Sequence, residues 1–103
     1  PLDKPGFYEV LYEGAKLNFY ARRVKTLDRN GDDGFQFIQT NQYYIQFENE
    51  YYSISSSGSL ARIFKANRKL INSFAYREGI RKLNGTTDIH FVALIAYCNS
   101  LNL

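Results

Sequence analysis

The chain has 103 residues, 45% of them hydrophobic and 22% charged, which suits one domain with one core and excludes a disordered or collagen-like chain. A single cysteine excludes an internal disulfide framework, and one cysteine with one histidine excludes most zinc sites. No apolar run approaches the ~20 residues of a membrane-spanning helix, the longest being Phe91 to Cys98.

Composition divides the chain near Ser55–Ser59. Aromatic residues make up 17%, with nine Tyr, eight Phe and no Trp, and seven of the tyrosines lie in residues 1–58. That half carries a net charge of −2, whereas residues 59–103 carry +5. Tyrosine suits strands, because its ring packs on a pleated surface while its hydroxyl stays wet.

The first half reads as strands. Phe7–Tyr12 and Leu17–Val24 are rich in β-formers, and Glu13-Gly14-Ala15-Lys16 between them fits a hairpin link. Asp28–Gly34 is a polar turn cluster with Asn-Gly and a further glycine. A third strand is predicted at Gln42–Glu48, where Tyr43, Ile45 and Phe47 alternate with Tyr44, Gln46 and Glu48. Glu48-Asn49-Glu50 turns the chain and Tyr51–Ser55 pairs back, giving two hairpins in an antiparallel meander with one face packed and one largely wet.

The second half reads as helices. Ser59 is placed to cap a helix in which Leu60, Ile63, Phe64, Ile71 and Phe74 form the apolar stripe. Arg62, Lys65 and Lys69 fall at i, i+3 and i+7 on the opposite side, and Asn67 is a candidate break into two shorter helices. Gly79 is expected to stop the segment, with Arg77 in its last turn. Asn84-Gly85 turns the chain and Thr86 or Thr87 caps the last helix, Ile89 to Leu101, with Asp88 in its first turn. The fold class is therefore α+β: a small antiparallel meander followed by two to three helices packed on one face. It is read as a single domain over 1–103, β-rich over 6–55 and helical over 59–102. Because the chain opens on Pro1-Leu2-Asp3, it is read as a piece of a longer precursor.

Four stretches carry a resemblance: Gly6–Tyr12, the Tyr-rich Tyr43–Tyr52, Ser55–Lys69 with its Ser, Leu, Phe and basic residues, and Tyr97-Cys98-Asn99-Ser100. Together they resemble a family of uncharacterised bacterial cell-envelope proteins. This chain has Ala66 where the family has proline, and Cys98 where it has a second tyrosine. The resemblance implies export to the periplasm or envelope and brings no activity or catalytic residue.

Chemistry-bearing motifs are few. Asp28-x-Asn30-x-Asp32 imitates the start of a calcium loop, but the sixth and twelfth positions are Asp33 and Gln39 where Gly and Glu belong. An acidic turn is the expectation. His90 and Cys98 on one helix lie about 12 Å apart along its axis, beyond hydrogen-bond reach, so Cys98 reads as a small core hydrophobe and His90 as a partly exposed polar residue. Asn84-Gly85-Thr86 matches a glycosylation sequon and reads as turn and cap. No nucleophile elbow, phosphate loop or acid–base pair can be assembled, so the reading is non-enzymatic, with no cofactor and no metal.

One feature points outward. Arg62, Lys65, Arg68, Lys69, Arg77, Arg81 and Lys82 crowd into 21 residues with Glu78 as the only acid. Such a face attracts an acidic partner or anionic surface. The functional expectation is a non-catalytic envelope module binding through Arg62, Lys65, Arg68 and Lys69. An envelope protein or anionic surface is favoured as partner over nucleic acid, and nothing indicates a homo-oligomer. The alternative is a cytoplasmic nucleic-acid-binding domain using the same helices.

Overall fold

The computed structural model describes residues 8–29 and 34–103. Four strands, β1 (Tyr8–Glu13), β2 (Leu17–Arg29), β3 (Phe35–Phe47) and β4 (Glu50–Ile54), form one antiparallel sheet in the order β1-β2-β3-β4. Helices α1 (Ser57–Ile63), α2 (Arg68–Glu78) and α3 (Asp88–Ser100) follow, with a 3-10 turn, Lys65–Asn67, between the first two. The chain is α+β, with the sheet in the first half and the helices in the second.

The core lies between one face of the sheet and the helices. Strand alternation points Leu17, Phe19 and Ala21 of β2, Tyr43 and Ile45 of β3 and Ile54 of β4 to that side, where all are buried. Leu60, Phe64, Ile71, Phe91, Leu94 and Ile95 meet them from the helices as the apolar stripe predicts, while Ile63, Phe74 and Phe47 are only partly buried. Phe19 packs on Phe91 with ring centroids 5.7 Å apart, and Phe47 meets Phe64 edge-on at 5.0 Å. Phe74 stacks on Tyr97 at 4.3 Å, so this pair joins α2 to α3.

The strands are longer than predicted in the middle of the sheet. β2 and β3 pair continuously from Leu17↔Phe47 out to Arg29↔Phe35, whereas β1 ends at Tyr8↔Arg22 and β4 at Tyr43↔Ile54. The two central strands therefore run on as a two-stranded ribbon. Residues 35–41 of β3 mix apolar and polar side chains without the sustained alternation of Tyr43–Glu48, so the local pattern does not mark this half of the ribbon. At the other end, Glu48 and Asn49 both adopt left-handed backbone (φ 52° and 67°), the geometry that matches a two-residue hairpin turn to strand twist.

Helix boundaries needed three corrections. α1 begins at Ser57, so Ser59 is inside the helix, buried, and its Oγ accepts the Ser55 N–H at 3.2 Å. The break opens at Phe64, whose ψ of 66° is non-helical and whose ring meets Phe47, and the 3-10 turn that follows ends at Asn67, the N-cap of α2. At α3 neither threonine side chain caps the helix. Asn84 Oδ1 instead accepts the N–H groups of Thr86 and Thr87 at 2.8 and 3.1 Å. Gly79 does stop α2, in left-handed backbone at φ 68°, with Arg77 in the last turn.

Candidate binding face

The helical layer presents its cations to solvent. Arg62, Lys65, Arg68 and Lys69 are all exposed, as are Arg77, Arg81 and Lys82. The four predicted contact residues do not share one continuous helix. Arg62 lies in the last turn of α1, Lys65 opens the 3-10 turn, and Arg68 and Lys69 open α2, so they crowd the corner between two helices. Helical i, i+3, i+7 spacing therefore fails across the Phe64 break, although exposure of each residue holds.

What removes the counter-charge is tertiary. The helical half contains only two acids, Glu78 and Asp88. Asp88, the first residue of α3, is buried, and its Oδ2 accepts from Arg23 Nη2 at 3.0 Å and from the Tyr43 hydroxyl at 3.2 Å. Arg23 donates its Nε to Glu9 at 2.7 Å, so a chain of charges ties β1, β2 and β3 to the start of α3. Burial, followed by the nearby Asp88 charge, raises the Tyr43 pKa above its ordinary value and keeps its hydroxyl as a donor. Glu78 lies 3.9 Å from Arg77, a partly exposed pair of little energetic weight. Among the described residues, the other six helical cations have no carboxylate within ion-pair distance.

At the other end of α2 the chain from Gly79 to Thr87 lines a shallow cavity of about 350 Å³, with Arg81, Lys82 and His90 on its walls. The segment is held firmly. Ser57 N–H donates to Arg81 O at 2.8 Å, Leu83 N–H to Ser55 O at 3.1 Å, and the Thr87 hydroxyl to Lys82 O at 2.8 Å. Ile80 and Leu83 are buried, which turns Arg81 and Lys82 outward. Arg81 and Lys82 belong to the basic set, but their proximity to His90 is a product of the α2–α3 turn that spacing alone does not reveal.

The remaining motifs resolve differently. Cys98 is fully buried, and desolvation pushes its thiol up to about 12, as befits a core residue. His90 is exposed in the first turn of the same helix. Asn84 spends its carbonyl on the turn before α3, which bears out the turn half of the sequon's reading but not the threonine cap. Residues 30–33 of the calcium-like loop, and Gly6 and Phe7 of the first resemblance motif, lie outside the described residues. No helix among the described residues is long and apolar enough to cross a membrane. No protein-family profile, curated protein or solved structure matches this chain.

Proposed function

We propose that this domain is a non-catalytic binding module whose basic helical corner contacts an acidic partner or anionic surface, in the bacterial cell envelope to which the family resemblance points. The observation that carries the reading is the imbalance of exposed charge. Seven cations of the helical layer face solvent against one exposed carboxylate, because Asp88 is committed to Arg23 and Tyr43 of the sheet. A surface of one sign steers oppositely charged partners and does so in a salt-dependent way.

The test is the triple variant Arg62→Glu, Lys65→Glu, Lys69→Glu. All three positions are exposed, so each change should alter stability by no more than about 0.5 kcal/mol. Retention on an immobilised acidic polypeptide and on anionic vesicles should fall sharply at low salt, with parent and variant converging as salt is raised. Equal retention of parent and variant at low salt would reduce the corner to a solvated surface. Stronger retention of the parent on single-stranded DNA than on either acidic probe would favour the nucleic-acid alternative.

A further inference from the structure

The sheet face turned away from the helices is built differently from the basic corner. Alternation and register lay it out as three cross-strand rungs. The first is Tyr8, Arg22 and Gln42; the second is Val10, Tyr20, Tyr44 and Ser53; the third is Asn18, Gln46 and Tyr51. Successive rungs are about 7 Å apart along the strands.

Two matching clamps repeat on this surface. Gln46 Oε1 accepts from the Tyr20 hydroxyl at 3.0 Å and from Asn18 Nδ2 at 3.2 Å. Gln42 Oε1 accepts from Arg22 Nη1 at 3.1 Å and from the Tyr44 hydroxyl at 3.2 Å. The clamps lie four residues apart on β3, about 14 Å. Each ring is braced by a second one: Tyr8 meets Tyr44 edge-on at 6.0 Å, and Tyr20 meets Tyr51 at 6.1 Å. The glutamine carbonyls are thus used internally. Their amide nitrogens donate to no group of the described residues and are not sealed from solvent. Each tyrosine oxygen also keeps acceptor capacity after donating its proton.

We propose that this face binds a neutral oligosaccharide. A sugar ring presents an apolar C–H face and a rim of hydroxyls, each both donor and acceptor. A half-buried tyrosine ring receives the first, and an amide N–H₂ beside a phenolic oxygen receives two neighbouring hydroxyls. Braced tyrosines supply that contact area at little entropic cost. The two clamps give a repeating ligand two equivalent footholds. Charge agrees, since among the described residues of these rungs Arg22 and, opposite Asn18, Glu13 are the two charged side chains and are opposite in sign. A polyanion would find one cation in the three rungs, Arg22, already engaged with Gln42, rather than the row of cations that single-strand nucleic-acid grooves provide. A protein partner would bring its apolar centre to hydroxyls and amides, with Val10 as the exposed aliphatic anchor.

With no tryptophan in the chain, intrinsic fluorescence comes from nine tyrosines, of which Tyr8, Tyr20, Tyr44 and Tyr51 lie on this face. The full chain is titrated with neutral β-linked hexasaccharides of glucose, N-acetylglucosamine, xylose and mannose. The expected result is a saturable fluorescence change with at least one of them, insensitive to salt and preserved in the triple-Glu variant of the basic corner. Gln42→Ala and Gln46→Ala should each weaken it about fivefold or more, as loss of one hydrogen bond does. Thermal melts of both variants check that folding is kept, and Tyr20→Phe and Tyr44→Phe, which retain the rings, should show the same loss. No saturable change with any of the four sugars at millimolar concentration overturns the proposal. So does equal binding by the glutamine variants, or binding of oligo(dT) in place of sugar.

Discussion

Asn99 places its carboxamide under the β1–β2 turn and uses all of it. Its Oδ1 accepts the N–H groups of Lys16 and Leu17 at 2.8 and 2.9 Å, and its Nδ2 donates to the carbonyls of Leu17 and Ile95 at 3.3 and 3.1 Å. Lys16 Nζ also donates to the Leu101 carbonyl, closing the same joint. This close approach requires Gly14, since a Cβ there would stand 2.3 Å from the Asn99 amide. Because four hydrogen bonds fix that amide, it cannot step aside. Gly14→Ala should therefore cost about 1–3 kcal/mol as an overpacked contact. Asn99→Ala should cost about 2 kcal/mol or more by orphaning backbone groups. In the double variant the alanine methyl finds the space vacated, so denaturant melts should show a coupling of about 1 kcal/mol or more. Strict additivity would mean that the Gly14 methyl is resisted by something other than Asn99.

At the scale of elements, α3 is the piece that both halves share. Asp88 fastens its start to β2 and β3, Asn99 fastens its end to the first hairpin, and Phe91, Leu94, Ile95 and Cys98 fill the space between. Polar anchors at both ends fix the helix lengthwise, which an apolar interface alone does weakly because hydrophobic contact is non-directional. The outer ribbon of β2 and β3 has no such support. From Val24↔Thr40 outward its strands pair, among the described residues, with each other alone, and Leu27 and Ile38 stay exposed. A two-stranded ribbon is marginal on its own. Amide hydrogen exchange should therefore run orders of magnitude faster at residues 24–27 and 38–40 than at Phe19–Ala21 and Tyr43–Ile45. Equal protection would mean that the ribbon unfolds only with the core.

For the molecule as a whole, shape and titration both follow from this division. The radius of gyration is 15.5 Å and the extents are 53 × 31 × 19 Å, whereas a compact domain of this length has a radius near 13 Å. The ribbon that outruns its neighbouring strands is in keeping with that elongation. Stability should also be lost at alkaline pH through named groups. Tyr43 and Tyr20 both have raised pKa values, each chiefly by burial, with Asp88 adding to the first and Tyr51 to the second. The unfolded chain then releases these protons near pH 10, before the folded one does. Their contribution is fully present below pH 10 and falls as pH rises through the folded values. Tyr43→Phe should flatten that loss in melts between pH 9 and 11.5, after allowance for its lost bond to Asp88. A slope equal to the parent's would assign the alkaline loss to other residues.

The sequence by itself determined what depends on neighbours along the chain. Alternation at Tyr43–Phe47, the glycine after Glu78, the apolar stripe from Leu60 to Phe74 and the run ending at Cys98 each mark an element or a core position within a few residues. Together they gave the α+β division and the exposure of the basic residues. Tertiary structure decided what depends on partners far away. Asp88 meets Arg23 and Tyr43 across 65 and 45 residues, Asn99 meets Leu17 across 82, and Phe64, where the helix breaks, meets Phe47. The same holds for the tyrosine and glutamine clamps, since strand register alone sets Gln46 beside Tyr20. Local patterns record which way a side chain points. They do not record the partner that waits there, because that partner is chosen by packing the whole core at once.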